Sequence, residues 1–248
     1  MAARLLATLP TSHPLAKTMR KCAKGKVRKP KSPLHNLAEV YKADPQKIET
    51  ISTSTRDPAL TSKLPFVITL PPSKNESKLA DDQSTDKYKI YTDGSAHGGN
   101  VGAAAVLTMN GRKAKTLRYK LGMPSEHTVF EAELVGLLLG LHLIQTGIKE
   151  SALITVGIDN QAVLRALTSK LDKPGHYLAA EAIKMATKLH ASKGKKHKLV
   201  LRWTAGHIGI EGNEEADKEA KKAAEGQTSN LEELPSIVKK KLKRSKSD

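Results

Sequence analysis

Cysteine, aromatic residues and acidic residues are all scarce in this 248-residue chain. The single cysteine, Cys22, excludes an internal disulfide and a cysteine-based zinc site, and it favours a reducing compartment. Because aromatic residues make up only 3% of the chain, a core must rest on Leu, Ile, Val and Ala. The 25 acidic residues face 42 Lys and Arg, a net charge of +17. This excess predicts a polyanionic partner, nucleic acid before membrane, although a Lys-rich solvated surface is the simpler alternative.

Long apolar runs are also missing, since no stretch approaches the roughly 18 residues of a membrane-spanning helix. We therefore expect no membrane partner. The apolar stretch within the first ten residues is too short and too interrupted for a secretory signal. Residues 1–38 lack acids, as mitochondrial import sequences do, but Lys and Pro dominate over an amphipathic Arg and Ser pattern. We expect a nuclear or cytoplasmic protein.

Composition divides the chain into three regions. Residues 1–86 contain nine prolines, which predicts a basic, largely disordered N-terminal region whose polar end is a linker. Its basic run, residues 17–31, suits phosphate contact or nuclear import, or is simply a solvated arm. Residues 227–248 predict a disordered Lys-rich tail. The folded domain is expected at residues 87–226.

The domain at residues 87–226 is predicted to be α/β. Strands are expected at residues 87–93, 101–109, 113–121, 152–158 and 198–203, with helices at 128–145, 160–167, 174–191 and 213–225. Asn110-Gly111 is a strong signal for a two-residue hairpin. The order implies a five-stranded mixed sheet, three strands antiparallel and two parallel, with helices on both faces.

Two aspartates follow predicted strands. Asp93 lies in Tyr-Thr-Asp-Gly-Ser and is expected to end the first strand. Asp159 ends the buried fourth strand, and acids at the carboxyl ends of neighbouring strands meet in space. The simpler alternatives are a turn aspartate for Asp93 and a helix N-cap for Asp159.

Two further acids are expected on helices. Thr128 and Glu131 form a capping box, which explains Glu131, whereas Glu133 lies roughly 200° around the helix and needs another reason. Glu133 is therefore the preferred candidate. Asp217 lies early in the last helix, where dipole compensation is the alternative role.

The chemistry of such a cluster favours metal ions. Carboxylates brought together would repel one another, and Mg²⁺ or Mn²⁺ removes that conflict. Two ions about 3.5–4 Å apart can activate water and stabilise the leaving oxygen of a phosphodiester. His207, on a Gly-flanked loop, could carry a proton to that oxygen, although a lone loop histidine often has no such role.

The motifs together resemble the type 1 ribonuclease H domain over about residues 87–226. They are Tyr-Thr-Asp93-Gly-Ser, Glu133-Leu, Asp159-Asn-Gln-Ala and Trp-Thr-Ala-Gly-His207-Ile-Gly-Ile-Glu-Gly-Asn213-Glu-Glu-Ala-Asp217. The resemblance implies a ribonuclease H-like fold and cleavage of the RNA strand of RNA/DNA hybrids. It implies that two Mg²⁺, or Mn²⁺, are held by Asp93, Glu133, Asp159 and Asp217, with His207 assisting. Hybrid contacts are expected from Gly94, Ser95, Asn160 and Asn213.

The amino-acid sequences of the last two motifs are most similar to those of ribonuclease H domains of fungal LINE-type retroelements. Cellular relatives often carry a Trp-bearing basic protrusion, but Trp203 is the only tryptophan here. Hybrid binding is therefore expected to use Lys193, Lys195 and Lys196 or the basic tails, unless that cluster is only an exposed loop. We expect a monomer.

Two other functions remain open on the sequence. One is a catalytically inactive nucleic-acid-binding remnant of a retrotransposon polyprotein. The presence of all four acids and His207 argues against decay. The other is a DNA-directed nuclease or integrase of related fold.

Overall fold

A six-stranded mixed sheet forms the centre of the protein. The computed structural model describes residues 64–169, 173–191 and 197–243, together with Val40 and Glu49. The strands are β1 (Phe66–Thr69), β2 (Tyr88–His97), β3 (Asn100–Met109), β4 (Arg112–Gly122), β5 (Leu153–Ile158) and β6 (Lys198–Trp203). The helices are α1 (Lys74–Asp82), α2 (Val129–Gly147), α3 (Gln161–Ala166), α4 (His176–Ala191) and α5 (Glu211–Ala224).

The strand order is β1-β6-β5-β2-β3-β4. Strands β1, β6, β5 and β2 are parallel, whereas β2, β3 and β4 form an antiparallel meander. The predicted hairpin between β3 and β4 is confirmed, because Asn110 and Gly111 have φ of 51° and 75°, as a type I′ turn requires. The expected mixed architecture is correct, but the sheet has six strands within the described residues rather than five.

Helices cover both faces of the sheet. Neighbouring residues of a strand point to opposite faces. Ile90 of β2 lies against Gly140 of α2, and Tyr91 lies against Gly212 of α5. The α2 side holds the main core, built largely from Leu, Ile, Val and Ala as the composition predicts.

Helix α2 is the central core helix. Its 19 residues are long and apolar enough, by length and composition, to cross a membrane, so the expectation that no such run exists was wrong. The apolar window is 72% buried against the rest of the fold. The run is therefore explained by burial between the sheet and α4.

The region before residue 87 is not a linker throughout. Strand β1 pairs with β6, from Phe66 opposite Leu199 to Thr69 opposite Arg202. Prolines flank this four-residue strand, which is tolerated because it lies at the sheet edge. Helix α1 follows, and its N-cap Ser73 accepts a hydrogen bond from the backbone N of Glu76. The prediction of disorder up to residue 86 is therefore wrong for residues 64–86.

The C-terminal segment is also ordered as far as residue 243. Leu234, Val238 and Leu242 are buried in the main core, and a short 3₁₀ turn spans Leu231–Glu233. The prediction of a disordered tail fails here because these apolar residues cover the core. The rest of the predicted disorder, including the basic run at residues 17–31 and residues 244–248, lies outside the described residues.

Candidate active site

Strand pairing places Asp93 beside Asp159. The parallel ladder between β2 and β5 ends at Thr92 opposite Ile158, and each aspartate is the next residue along the chain. The sequence predicted that Asp93 ends β2. This is wrong, because antiparallel pairing of β2 with β3 continues to His97. It marks the point where β2 loses one partner and keeps the other. The N-cap of α3 is Asn160, so Asp159 is not needed for that role.

Close packing of α2 on β2 brings Glu133 to the same place. A Cβ at Gly94 would lie 2.3 Å from the backbone N of Glu133, so only glycine permits this approach. Gly136 repeats the pattern, since its Cβ would lie 3.0 Å from the backbone O of Asp93. Glu131 forms the predicted capping box with Thr128.

The three acids form a compact oxygen cluster. Asp93, Glu133 and Asp159 each offer one carboxylate oxygen, and these oxygens lie within 4.8 Å of one another. Asp93 and Glu133 are 5% and 4% exposed, whereas Asp159 is half-buried. The cluster is thus open to solvent on the Asp159 side.

Burial and mutual repulsion disfavour ionisation of this cluster. Burial, followed by the charges of Asp159 and Asp217, raises the pKa of Asp93 to about 7. Burial and the same kind of repulsion raise the pKa of Glu133 well above its usual range. The pKa of Asp159 is also raised by burial, although a hydrogen bond with Glu133 and the charge of His207 oppose the shift.

Asp217 lies at the margin of the cluster. Its charge contributes to the raised pKa of both Asp93 and Asp159, but it is not among the oxygens grouped within 4.8 Å in the described structure. Lys221, one turn later on the same helix, donates a 2.7 Å hydrogen bond to Asp217 Oδ2. The structure therefore brings three of the four predicted acids into direct proximity and leaves the fourth beside them.

His207 lies on the loop between β6 and α5. It is exposed, and its φ of 57° is in the left-handed region. The loop passes beside Asp159, because a Cβ at Gly206, the residue before His207, would lie 3.2 Å from Asp159 Oδ2. The charge of His207 opposes the rise in the pKa of Asp159. Trp203, where β6 ends, donates from Nε1 to the backbone O of Asp159 at 2.9 Å.

The donor set fits a hard divalent cation. Glu133 Oε2 is buried and has no hydrogen-bond partner among the described residues. A buried carboxylate oxygen without a donor is costly unless a cation satisfies it. Carboxylate oxygens are also the ligands that Mg²⁺ and Mn²⁺ prefer.

The residues assigned to hybrid contact separate into different groups. Gly94 is buried under α2 and Asn213 is 2% exposed, so little of either residue reaches the surface, and their contact with a hybrid stays a prediction. Ser95 and Asn160 are half-buried and remain accessible. Lys193, Lys195 and Lys196 lie outside the described residues.

The ion pair of Lys221 and the packing role of Gly94 were not predicted from the sequence. Lys221 could have been found, since a Lys four residues after Asp217 on a helix is a favourable ion pair. The role of Gly94 had no such signal, because it depends on how α2 meets β2.

Comparison with known proteins gives consistent matches. The RNase H family profile matches residues 85–225. A ribonuclease H of Pseudomonas fluorescens (strain Pf0-1) is 28% identical over 151 residues, 58% of this chain and 94% of that protein. Two solved structures are similar at low identity. The N-terminal RNase H domain of Rv2228c from Mycobacterium tuberculosis, in a maltose-binding protein fusion, has a TM-score of 0.45 at 21% identity and covers 57% of this chain and 95% of its own. LC11 RNase H1 from compost, in complex with an RNA/DNA hybrid, has a TM-score of 0.42 at 22% identity. The match covers 56% of this chain and 97% of that one.

Proposed function

The chain belongs to the RNase H family, and on that premise we propose that it hydrolyses the RNA strand of RNA/DNA hybrids with two divalent metal ions. The observation that carries the proposal is the group of carboxylate oxygens from Asp93, Glu133 and Asp159 within 4.8 Å. The family match and the curated relative support ribonuclease H activity.

The electrostatics of the cluster support a metal requirement. The raised pKa of Asp93, about 7, means that the three acids are not all ionised near neutral pH without a counter-charge. Mg²⁺, with Mn²⁺ as the alternative, would be held by Asp93, Glu133 and Asp159 with Asp217 at the margin. When bound, such ions supply an activated water and charge stabilisation for the leaving oxygen.

Asp217 and His207 are assigned supporting roles. Lys221 holds Asp217 through a 2.7 Å hydrogen bond, so the carboxylate is kept on the side of α5 that faces Asp93 and Asp159. The exposed imidazole of His207 is in reach of solvent, so we assign it proton transfer to the leaving oxygen.

The proposal is tested by strand-specific cleavage. The full chain is incubated with an RNA/DNA hybrid carrying different labels on its two strands, with single-stranded RNA, and with duplex DNA, in Mg²⁺ and in EDTA. We expect cleavage of the hybrid's RNA strand alone, and only with metal. Cleavage of duplex DNA would instead indicate a DNA-directed nuclease. Tight hybrid binding without cleavage in Mg²⁺ or Mn²⁺ would indicate a non-catalytic binding protein.

We also propose that the domain derives from a LINE-type retroelement. The support is the amino-acid sequence of Asp159-Asn-Gln-Ala and of the segment from His207 to Asp217, which resembles ribonuclease H domains of such elements. The genomic sequence upstream of the coding region tests it. A reading frame or decayed copy encoding a reverse transcriptase is expected, and a cellular gene without any such trace in related genomes would contradict it.

A further inference from the structure

Helix α1 lies before the residues that match the RNase H family, yet it contacts the loop that carries His207. The family match begins at residue 85, whereas α1 spans Lys74–Asp82. The loop connects Trp203, the end of β6, to Glu211, the start of α5. An element outside the matched region therefore lies against a part of the candidate active site.

Two consecutive residues of α1 bind this loop. Lys78 Nζ donates to the backbone O of Ile208 at 3.1 Å, the residue next to His207. Ser77 Oγ donates to the backbone O of Trp203 at 3.1 Å and accepts from the backbone N of Ala205 at 2.9 Å. Ser77 is 1% exposed, so its two hydrogen bonds are shielded from water. The two side chains therefore hold the loop on both sides of His207, Ser77 before it and Lys78 after it.

Helix α1 is itself anchored to the sheet. Asp81 is buried and accepts hydrogen bonds from Arg202 Nη2 at 2.8 Å and from the hydroxyl of Tyr91 at 3.0 Å. Arg202 Nη1 also donates to the backbone O of Ala80 at 2.9 Å. Because Arg202 is on β6 and Tyr91 on β2, the helix is tied to two strands. It is thus a fixed support from which Ser77 and Lys78 act.

The loop has a backbone conformation that needs support. His207 has φ of 57°, which is uncommon for a residue with a Cβ, and Gly209 has φ of 78°. On the α5 side, Glu214 Oε1 accepts from the backbone N of Gly209 at 2.9 Å. On the other side, a Cβ at Gly209 would lie 3.1 Å from Lys78 Nζ. The loop is held between α5 and α1.

We propose that α1 is a positioning element, in which Ser77 and Lys78 hold residues 204–210 so that His207 stays beside Asp159. This inference rests on the proposed function for the role of His207, but the contact between helix and loop is tested independently of activity. Lys78 acts through the loop backbone and is not assigned a contact with substrate.

Amide hydrogen exchange tests the contact directly. Lys78→Met keeps the aliphatic stem and removes the ammonium, and Lys78→Arg restores a donor. Lys74→Met, an exposed position on the same helix, is the matched control. We expect exchange of the loop amides 205–210 to be about tenfold faster in Lys78→Met alone, the scale of one charged hydrogen bond. Unchanged loop exchange in Lys78→Met, with folding intact, overturns the proposal.

Kinetics on RNA/DNA hybrid test what the contact does. In Lys78→Met we expect kcat to fall about tenfold with KM unchanged, and Lys78→Arg to recover most of the loss. In a His207→Ala background the same substitution should have little further effect, because the positioned group is absent. A raised KM with unchanged kcat would mean that Lys78 contacts phosphate, and equal losses in both backgrounds would mean that it does not act through His207. Either result overturns the positioning role.

The two assays separate failure of this inference from failure of the proposed function. If the wild type does not cleave hybrid, the proposed function fails, while loop exchange in Lys78→Met still decides whether α1 holds the loop. If the wild type cleaves and His207→Ala is fully active, the role of His207 fails, and the positioning proposal fails with it.

Discussion

At the scale of single residues, the candidate site combines carboxylates that resist ionisation with glycines that allow their approach. Asp93, Glu133 and Asp159 all have raised pKa values, with burial the largest cause. Gly94 and Gly136 let α2 lie directly on β2. The arrangement therefore costs stability until a cation compensates the charge.

Asp93→Asn should stabilise the metal-free protein at high pH. The folded-state pKa of Asp93, about 7, is above its ordinary 3.8, so its stabilising contribution is complete below about pH 4 and is lost as pH rises through 7. The variant should exceed the wild type by roughly 1–4 kcal/mol at pH 8 and match it near pH 4. Thermal unfolding in EDTA across this range measures the difference.

Asp82→Asn is the control for this experiment, because Asp82 is exposed. It should show no comparable gain at pH 8. Adding Mg²⁺ or Mn²⁺ should raise the Tm of the wild type more than that of Asp93→Asn, since binding to the folded state stabilises it. A gap between variant and wild type that does not change with pH would contradict the assigned electrostatics.

Gly94→Ala should damage both stability and activity. Its Cβ would lie 2.3 Å from the backbone N of Glu133, and a backbone atom cannot move aside cheaply. We expect a loss of about 1–3 kcal/mol in unfolding free energy and a larger loss of cleavage than stability alone explains. Gly147→Ala, whose Cβ would meet Leu107 at an ordinary 3.5 Å, is the matched control. Equal stability of the two variants in urea unfolding would contradict the packing argument.

At the scale of elements, two segments outside residues 85–225 complete the fold. Helix α1 is tied to β6 and β2, as described above. The C-terminal segment contributes Leu234, Val238 and Leu242 to the core, and the backbone N of Ser229 donates to the backbone O of Arg118 on β4 at 3.0 Å. This segment follows the free edge of β4 and covers apolar surface of the main core.

Leu234→Ala should therefore be strongly destabilising. Leu234 is 1% exposed, and truncating a buried leucine costs about 2–5 kcal/mol. Leu231→Ala three residues earlier is the control, because Leu231 is 58% exposed and its loss should stay within about 0.5 kcal/mol. Denaturant unfolding of both variants measures the two losses in unfolding free energy. Similar small effects would mean that the segment does not pack on the core.

At the scale of the whole molecule, the sequence predicted the regular part of the fold well and its additions poorly. Alternation and helical spacing were enough for β2 to α5. Strand β1 could not be predicted, because four residues between prolines are too few to show an alternating pattern. Helix α1 begins with the N-cap signal Ser73-Lys-Asn-Glu76, but the polar residues around it carry no clear apolar spacing.

The site was predictable as a set of residues rather than as a geometry. Local motifs selected Glu133 over Glu131, and the capping box of Glu131 explains why that choice was sound. The change of partners along β2 at Asp93, and the burial of Asn213, depend on contacts distant in sequence. No local pattern reports such contacts.

The charge of the whole chain makes a separate prediction about binding. If Lys193, Lys195 and Lys196 contact phosphates, replacing all three by Ala should weaken hybrid binding. The slope of log K against log salt concentration should become less steep by about two to three. Cleavage at saturating hybrid should change little. Replacing the exposed Lys115, Lys149 and Lys184 removes the same charge outside this cluster and outside the basic tails, and is the control. Equal effects of the two triple variants would mean that the first cluster makes no local contact.

The central claim is that the acids around Asp93 carry out metal-dependent hydrolysis. The most direct measurement is the cleavage rate of a labelled RNA/DNA hybrid in Mg²⁺ by the wild type, Asp159→Asn and the control Asp82→Asn, with hybrid affinity measured in parallel. We expect the wild type and Asp82→Asn to cut the RNA strand, and Asp159→Asn to bind the hybrid but cut at least about 100-fold more slowly. Equal cleavage by Asp159→Asn, or a wild type that binds hybrid without cutting it, would contradict the account.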